Sequence, residues 1–180
     1  MRGIEETNGA AAIAALPYVD EHATEVGAGA GETWAALLVA VERSFAGGAT
    51  PAIARALGCE DAAAAGPRPL AVGSAIPGFH VVAARPPADG AASGAGAPAG
   101  APAELALAGR HRFSRYALIF RVDPLAADRS RLRAETRAGF PGLEGATYRA
   151  LVIGTRGHVL LTRRILAVVK RRAERSAGSA

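Results

Sequence analysis

His158 is the residue whose type and spacing are best suited to chemistry. It lies in the proline-free run from Gly142 to Arg175, with Thr155 one helical turn before it and Thr162 one turn after it. Residues three and four apart stack on one face of a helix, so these three side chains share a line. An imidazole there can move a proton near neutral pH or hold a bound molecule by a hydrogen bond. Tyr116, Thr136 and Tyr148 are further polar candidates for the same site. A plainer reading stands beside this one. His158 could be satisfied by a neighbouring carbonyl or carboxylate, with the threonines bonding back to their own helix.

Other chemistries find less support. His22, His80, His111 and His158 show no ligand pair at helical or loop spacing, so no metal is expected. Ser44, Ser74, Ser114 and Cys59 lie in no recognisable nucleophile setting, and there is no G-x-S-x-G. The glycines at 27, 29 and 31 lack the spacing of a dinucleotide fingerprint and the lysine of a phosphate loop. They read as a turn. Asp123, Asp128 and Glu144 fall in turns or at a helix start, where carboxylates cap backbone donors, and no inward carboxylate pair is evident. No cofactor is expected, and the residues alone do not make the chain an enzyme.

Composition narrows the partners. The chain has 180 residues and a net charge of +5, with Lys170 its only lysine. A basic balance can attract nucleic acid or anionic membrane. The arginine bias looks compositional, however, and the basic strip of the last helix has no interleaved aromatics to stack bases. Nucleic acid is therefore not an expected partner. Cys59 is the only cysteine, which excludes an internal disulfide and fits a reducing cytoplasm. No secretory pattern and no apolar run of spanning length is present, so a cytoplasmic protein without stable membrane insertion is expected, as monomer or homodimer.

The elements that must position these residues follow from periodicity. Residues 1–17 read as a loosely ordered lead-in, 18–175 as one domain and 176–180 as a disordered tail. Asp20 to Ala28 is a short strand, and Glu32 to Phe45 a helix with Trp34, Leu37, Leu38, Val41 and Phe45 at helical spacing. Thr50-Pro51 opens a second short helix that ends at Gly58. Strands are expected at Leu70–Ile76, Phe79–Arg85, Glu104–Ala108, His111–Asp123 and Arg131–Phe140. Residues 88–102 hold only Ala, Gly, Pro, one Ser and one Asp, and read as a flexible hairpin loop.

The last two strands alternate well. Tyr116, Leu118, Phe120 and Val122 share a face, as do Leu132, Ala134, Thr136, Ala138 and Phe140. The opposite faces carry Arg115, Ala117, Ile119 and Arg121 on the first strand and Arg131, Arg133, Glu135 and Arg137 on the second. This pattern predicts an antiparallel sheet covered on one side, its outer face wet and basic. The cover is the run from 142 to 172, expected as one helix with Tyr148, Leu151, His158, Thr162, Ile165 and Val169 facing inward. The order is strand, two helices, a run of strands, then a long helix. It gives an α+β fold with a curved antiparallel sheet around a C-terminal helix.

Several stretches carry a family resemblance: DEHATEVGAGAGETWAALL, GFHVVAARPP, LALAGRHRFSRYALIFRVD and RLRAETRAGFPGLEGATYRALVIGTRGH. Over roughly residues 20–172 the chain resembles the START-like, helix-grip (SRPBCC) superfamily of lipid-transfer START domains, polyketide cyclases and pollen-allergen-like carriers. Within it, the chain looks like a bacterial branch. The resemblance implies a helix-grip fold with a cavity between sheet and terminal helix, and an apolar or amphipathic small molecule as ligand. Trp34, Tyr116, Leu118, Phe120, Thr136, Tyr148, Leu151, Thr155, His158 and Thr162 would line that cavity. It also implies an alternative, a cyclase/dehydratase-type enzyme with His158 as general acid/base and Tyr116 or Tyr148 orienting a carbonyl. A third reading gives the basic surfaces a protein or RNA partner.

Overall fold

A computed structural model describes residue 9 and residues 11–88, 102–141 and 157–179. The elements, in chain order, are β1 (Tyr18–Val26), α1 (Ala30–Ala46), α2 (Thr50–Leu57), β2 (Ala75–Ile76), β3 (Phe79–Arg85), β4 (Ala103–His111), β5 (Ser114–Ala126), β6 (Arg129–Gly139) and α3 (Gly157–Ala177). The six strands form one antiparallel sheet in the order β1-β6-β5-β4-β3-β2. This sheet, the long terminal helix and the two helices after the first strand are the α+β architecture expected from the pattern, in the helix-grip arrangement that the resemblance implies.

The alternation sets the concave face. In register across the sheet stand Leu105, Phe120 and Ala134, and one pair along stand Leu107, Leu118 and Thr136. Against this face pack Ile165, Leu166, Val169 and Ala173 of α3 and Leu37, Val41 and Phe45 of α1. Phe120, Leu105, Leu107, Leu132, Ile165 and Val169 are fully buried. Each such side chain contributes roughly 1.5–3 kcal/mol by leaving water. α1 lies along α3, so the two helices share the cover.

Some expectations change in position. The strand expected at Leu70–Ile76 is only Ala75–Ile76, because Gly73 takes a left-handed turn (φ 89°) just before it. β4 does not stop at Ala108. It runs on to His111, and the hairpin turn falls at Arg112-Phe113. Gly109 permits this: a Cβ there would collide with the Gly78 carbonyl and the Tyr116 ring. The tight turn between β5 and β6 is also shorter than expected, since the strands continue to Ala126 and resume at Arg129. The helix is described from Gly157. The part of it expected over 142–156, with Tyr148, Leu151 and Thr155, lies outside the described residues, as does most of the 88–102 insert.

The outer face differs from the wet, basic surface expected. Its centre is apolar, with Ala83, Ala106, Ala117 and Ile119 buried beneath Ile13. Residues 11–14 form a helical turn that brings Ile13 there. The arginines around it are paired with acids. Glu135 takes Arg121 on one carboxylate oxygen (2.6 Å) and Arg137 on the other, while Arg121 also reaches Glu104 (3.1 Å) and Arg133 grips Asp123 (2.8 and 3.1 Å). Burial alone would raise the Glu135 carboxyl pKa, but hydrogen bonds from Arg121 and Arg137 outweigh it and hold it below the ordinary value. Among the described residues no helix is long and apolar enough to cross a membrane.

Arg137 does two things at once. Its Nη1 donates to the carbonyls of Ala14 (3.1 Å) and Leu16 (3.0 Å), while its Nε donates to Glu135. Arg137→Ala should therefore cost about 2 kcal/mol, the scale of one or two hydrogen bonds involving a charge. Chemical denaturation would measure the loss. Hydrogen exchange at Ala15 and Leu16 should rise in the same variant, because their helical turn loses its tether.

Candidate functional site

Where α1 ends, α2 passes and α3 begins, the helices do not fill the concave face. A cavity of about 360 Å³ remains. Its floor is the sheet, with Tyr116 and Leu118 on β5 and Thr136 and Ala138 on β6. Its walls are Phe45, then Ile53, Ala54 and Leu57 of α2, and His158, Leu161 and Thr162 of α3. Ile53 and Leu161 are both exposed, at 54% and 40%, and mark the open side. The volume falls in the range of small-molecule sites, which are mostly apolar with a few fixed polar groups.

The polar groups gather on one wall. The β1–β6 register sets Asp20 opposite Thr136 and His22 opposite Ala134. Residues two apart on a strand share a face, so Asp20 and His22 both look toward α3. There His158 Nε2 lies 3.0 Å from Asp20 Oδ2. His22 Nε2 is 3.4 Å from the same oxygen, within ion-pair reach but not aligned for a hydrogen bond. Four atoms of this cluster are buried without a hydrogen-bond partner among the described residues: Asp20 Oδ1, His22 Nε2, Thr136 Oγ1 and His158 Nδ1. Buried polar atoms are nearly always paired, so four in one place make this cluster the candidate site.

Several other polar side chains of the cavity are engaged. Tyr116 donates its hydroxyl hydrogen to the Gly78 carbonyl (2.8 Å), and Cys59 Sγ sits 3.7 Å from the Tyr116 hydroxyl oxygen. Thr162 donates to the His158 carbonyl of its own helix (2.9 Å), the back-bonding allowed for by the plainer reading. His111 Nδ1 accepts from the Phe113 amide (3.1 Å) and its Nε2 meets Ser114 Oγ at 3.0 Å. Accepting at Nδ1 makes this ring neutral, and burial pushes its pKa below the ordinary histidine value.

Of the residues read from the sequence, Tyr116, Leu118, Thr136, His158 and Thr162 come together around the cavity. Trp34 and Phe120 do not. The buried stripe of α1 runs through Thr33, Ala36, Leu37, Ala40 and Val41, which leaves Trp34 half-buried on its flank, in the turn farthest from Phe45. Phe120 is buried in the sheet core between Leu105 and Ala134. Tyr148, Leu151 and Thr155 lie outside the described residues. Asp20 and His22 were missed. The signal for them was the polar i, i+2, i+4 run Asp20, His22, Thr24 on the inward side of a strand, which would otherwise call for apolar residues.

The chain matches no protein-family model and no curated protein. Solved structures resemble it at low identity. A conserved protein from Geobacillus kaustophilus is 14% identical over 87% of this chain and 95% of its own, with a TM-score of 0.44. The Zhui aromatase/cyclase from Streptomyces sp. R1128 is 15% identical over 89% and 94%, with a TM-score of 0.48. A START superfamily protein from Mycobacterium smegmatis is 11% identical over 90% and 98%, with a TM-score of 0.33. The strand order and the helix lying across the sheet define a helix-grip fold.

His111 gives the site a pH signature. Its folded pKa is lowered, so over the window below the ordinary histidine value of about 6.5 the unfolded chain takes up the proton first. Its contribution to stability is whole above that value and is lost as pH falls through the window. Denaturation midpoints measured between pH 8 and pH 5 should decline, and His111→Gln should decline less steeply.

Proposed function

We propose that the protein binds an apolar or amphipathic small molecule in the cavity between the sheet and α3, as a carrier or sensor. The carrying observation is the combination of an apolar enclosure with two lining residues, Thr136 and His158, whose buried polar atoms have no partner among the described residues, His158 being held from behind by Asp20. Leaving such atoms unpaired costs about 1–3 kcal/mol each, and a ligand that pairs them recovers that cost. Leu118, Phe45 and Leu57 would take the apolar body. The reading takes the protein as cytoplasmic, a monomer or homodimer, with half-buried Cys59 as its only cysteine.

One observation favours a second reading, proton-transfer catalysis. Asp20 holds Nε2 of His158, which fixes the ring and leaves Nδ1 on the cavity side of the chemistry. A base oriented by a carboxylate is the arrangement general acid/base catalysis needs. Tyr116 is less suited to orient a carbonyl, because its hydroxyl hydrogen already goes to Gly78. The basic-surface reading finds the least support, since the arginines of the sheet's outer face are paired with Glu104, Asp123 and Glu135.

Native mass spectrometry of freshly purified protein should show a co-purified small molecule that is lost on denaturation. Leu118→Trp should fill the cavity and abolish that adduct and the binding of a neutral dye such as Nile red. His158→Ala should weaken binding by about 1–3 kcal/mol with the fold intact. Were the chain an enzyme, the same change would instead lower turnover by about 10²–10⁴-fold at similar substrate affinity. Failure of the unaltered protein to hold either adduct or dye would overturn the binding reading.

A further inference from the structure

We infer that the cavity selects neutral apolar molecules bearing a hydroxyl group, an alcohol or a phenol, and discriminates against the corresponding hydrocarbon and carboxylate. This rests on the cavity reading above. The argument is a count of what the polar wall can give and take.

An ionised carboxylate only accepts. The hydrogen between His158 Nε2 and Asp20 Oδ2 therefore belongs to Nε2, and in the neutral ring Nδ1 carries a bare lone pair. Nδ1 is buried and unpartnered among the described residues, on a side chain that lines the cavity, and it is an acceptor. Thr136 Oγ1, directly across from Asp20 in the β1–β6 register, can serve either way.

Near His158 and along the sheet floor, most donors are spent elsewhere. The Tyr116 hydroxyl donates to Gly78, the Thr162 hydroxyl to the His158 carbonyl, and His111 and Ser114 bond each other. No lysine or arginine is among the described residues that line the cavity. A carboxylate entering here would bring a second negative charge close to Asp20, just behind His158, and would find no lysine or arginine on the lining to pair with. A hydrocarbon would seal Nδ1 and Thr136 Oγ1 away from water unpaired. A hydroxyl can donate to Nδ1 and accept from Thr136, which satisfies both. Sites built to pair a substrate hydroxyl discriminate strongly against the analogue that lacks it.

The test uses 2-naphthol, naphthalene and 2-naphthoate with the unaltered protein at neutral pH, by titration calorimetry or ligand fluorescence. Binding of 2-naphthol should be at least about tenfold tighter than that of naphthalene, the scale of one hydrogen bond to a charged or polarised acceptor. The naphthoate should bind more weakly than the naphthol. In His158→Leu the preference for naphthol over naphthalene should shrink toward unity while naphthalene still binds. Thr136→Val, a smaller change in shape, should shrink it in part. Equal binding of naphthol and naphthalene to the unaltered protein, or tightest binding of the naphthoate, would overturn the inference and leave the cavity reading standing. Binding of none of the three would overturn the cavity reading itself.

Discussion

The concave face of the sheet is wider than the helix that covers it. Six strands spaced about 4.8 Å apart span roughly 24 Å, and one helix with its side chains covers about 10 Å. α3 needs α1 beside it to close the core, and over most of their length the pair does so, burying Leu37, Val41, Ile165 and Val169. α1 ends near Phe45, and among the described residues the short α2 continues the cover. The cavity is bounded there by Phe45, Ile53, Leu57 and the described start of α3. The polar residues that face it sit where strand alternation and helical spacing put them.

Alternation also explains how Asp20 comes to be inside. β1 is an edge strand paired only to β6, and its inward positions are Asp20, His22, Thr24 and Val26. Apolar residues at the first three would extend the core that Val26 begins. Polar ones instead place a carboxylate against a helix, which is costly unless it is paired. His158 supplies one bond across that contact and ties the edge of the sheet to the start of α3. One substitution on either side of this contact would alter both the site and the docking of the helix.

Much of this was legible in the sequence, and what was not has specific causes. The two-residue period of residues 114–140 gave the sheet faces correctly because both strands carry long runs of matched alternation. Helical spacing placed His158 and Thr162 inward for the same reason. Asp20 escaped notice because contact between β1 and α3 links positions 138 residues apart, and nothing local to Asp20 shows that a histidine faces it. Trp34 was misplaced because a helical stripe fixes its centre less well than its existence: a shift of one residue moves a side chain about 100° around the helix. The outer face was misjudged because Ile13, which covers it, lies in a segment of small residues with little periodicity of its own.

Two carboxylates of the sheet, one buried and one half-buried, are paired differently. Glu135 on the outer face is nearly inaccessible, and each of its oxygens accepts from a guanidinium, so neither is left unpaired. Its neighbours Arg121 and Arg137 are in turn bonded to Glu104 and to backbone carbonyls. Such closure is what a group needs if its only task is to be buried at tolerable cost. Asp20 on the inner face is left open. One oxygen is held and the other has no partner among the described residues, and the histidine that holds it has its own second nitrogen unpaired. A fold under no demand at that place would gain by closing the network, as it has on the opposite face of the same sheet. The inner network leaves polar atoms unpaired among the described residues beside a cavity and the outer one does not, and this contrast is what supports proposing recognition for His158 with Asp20 and structure for Glu135.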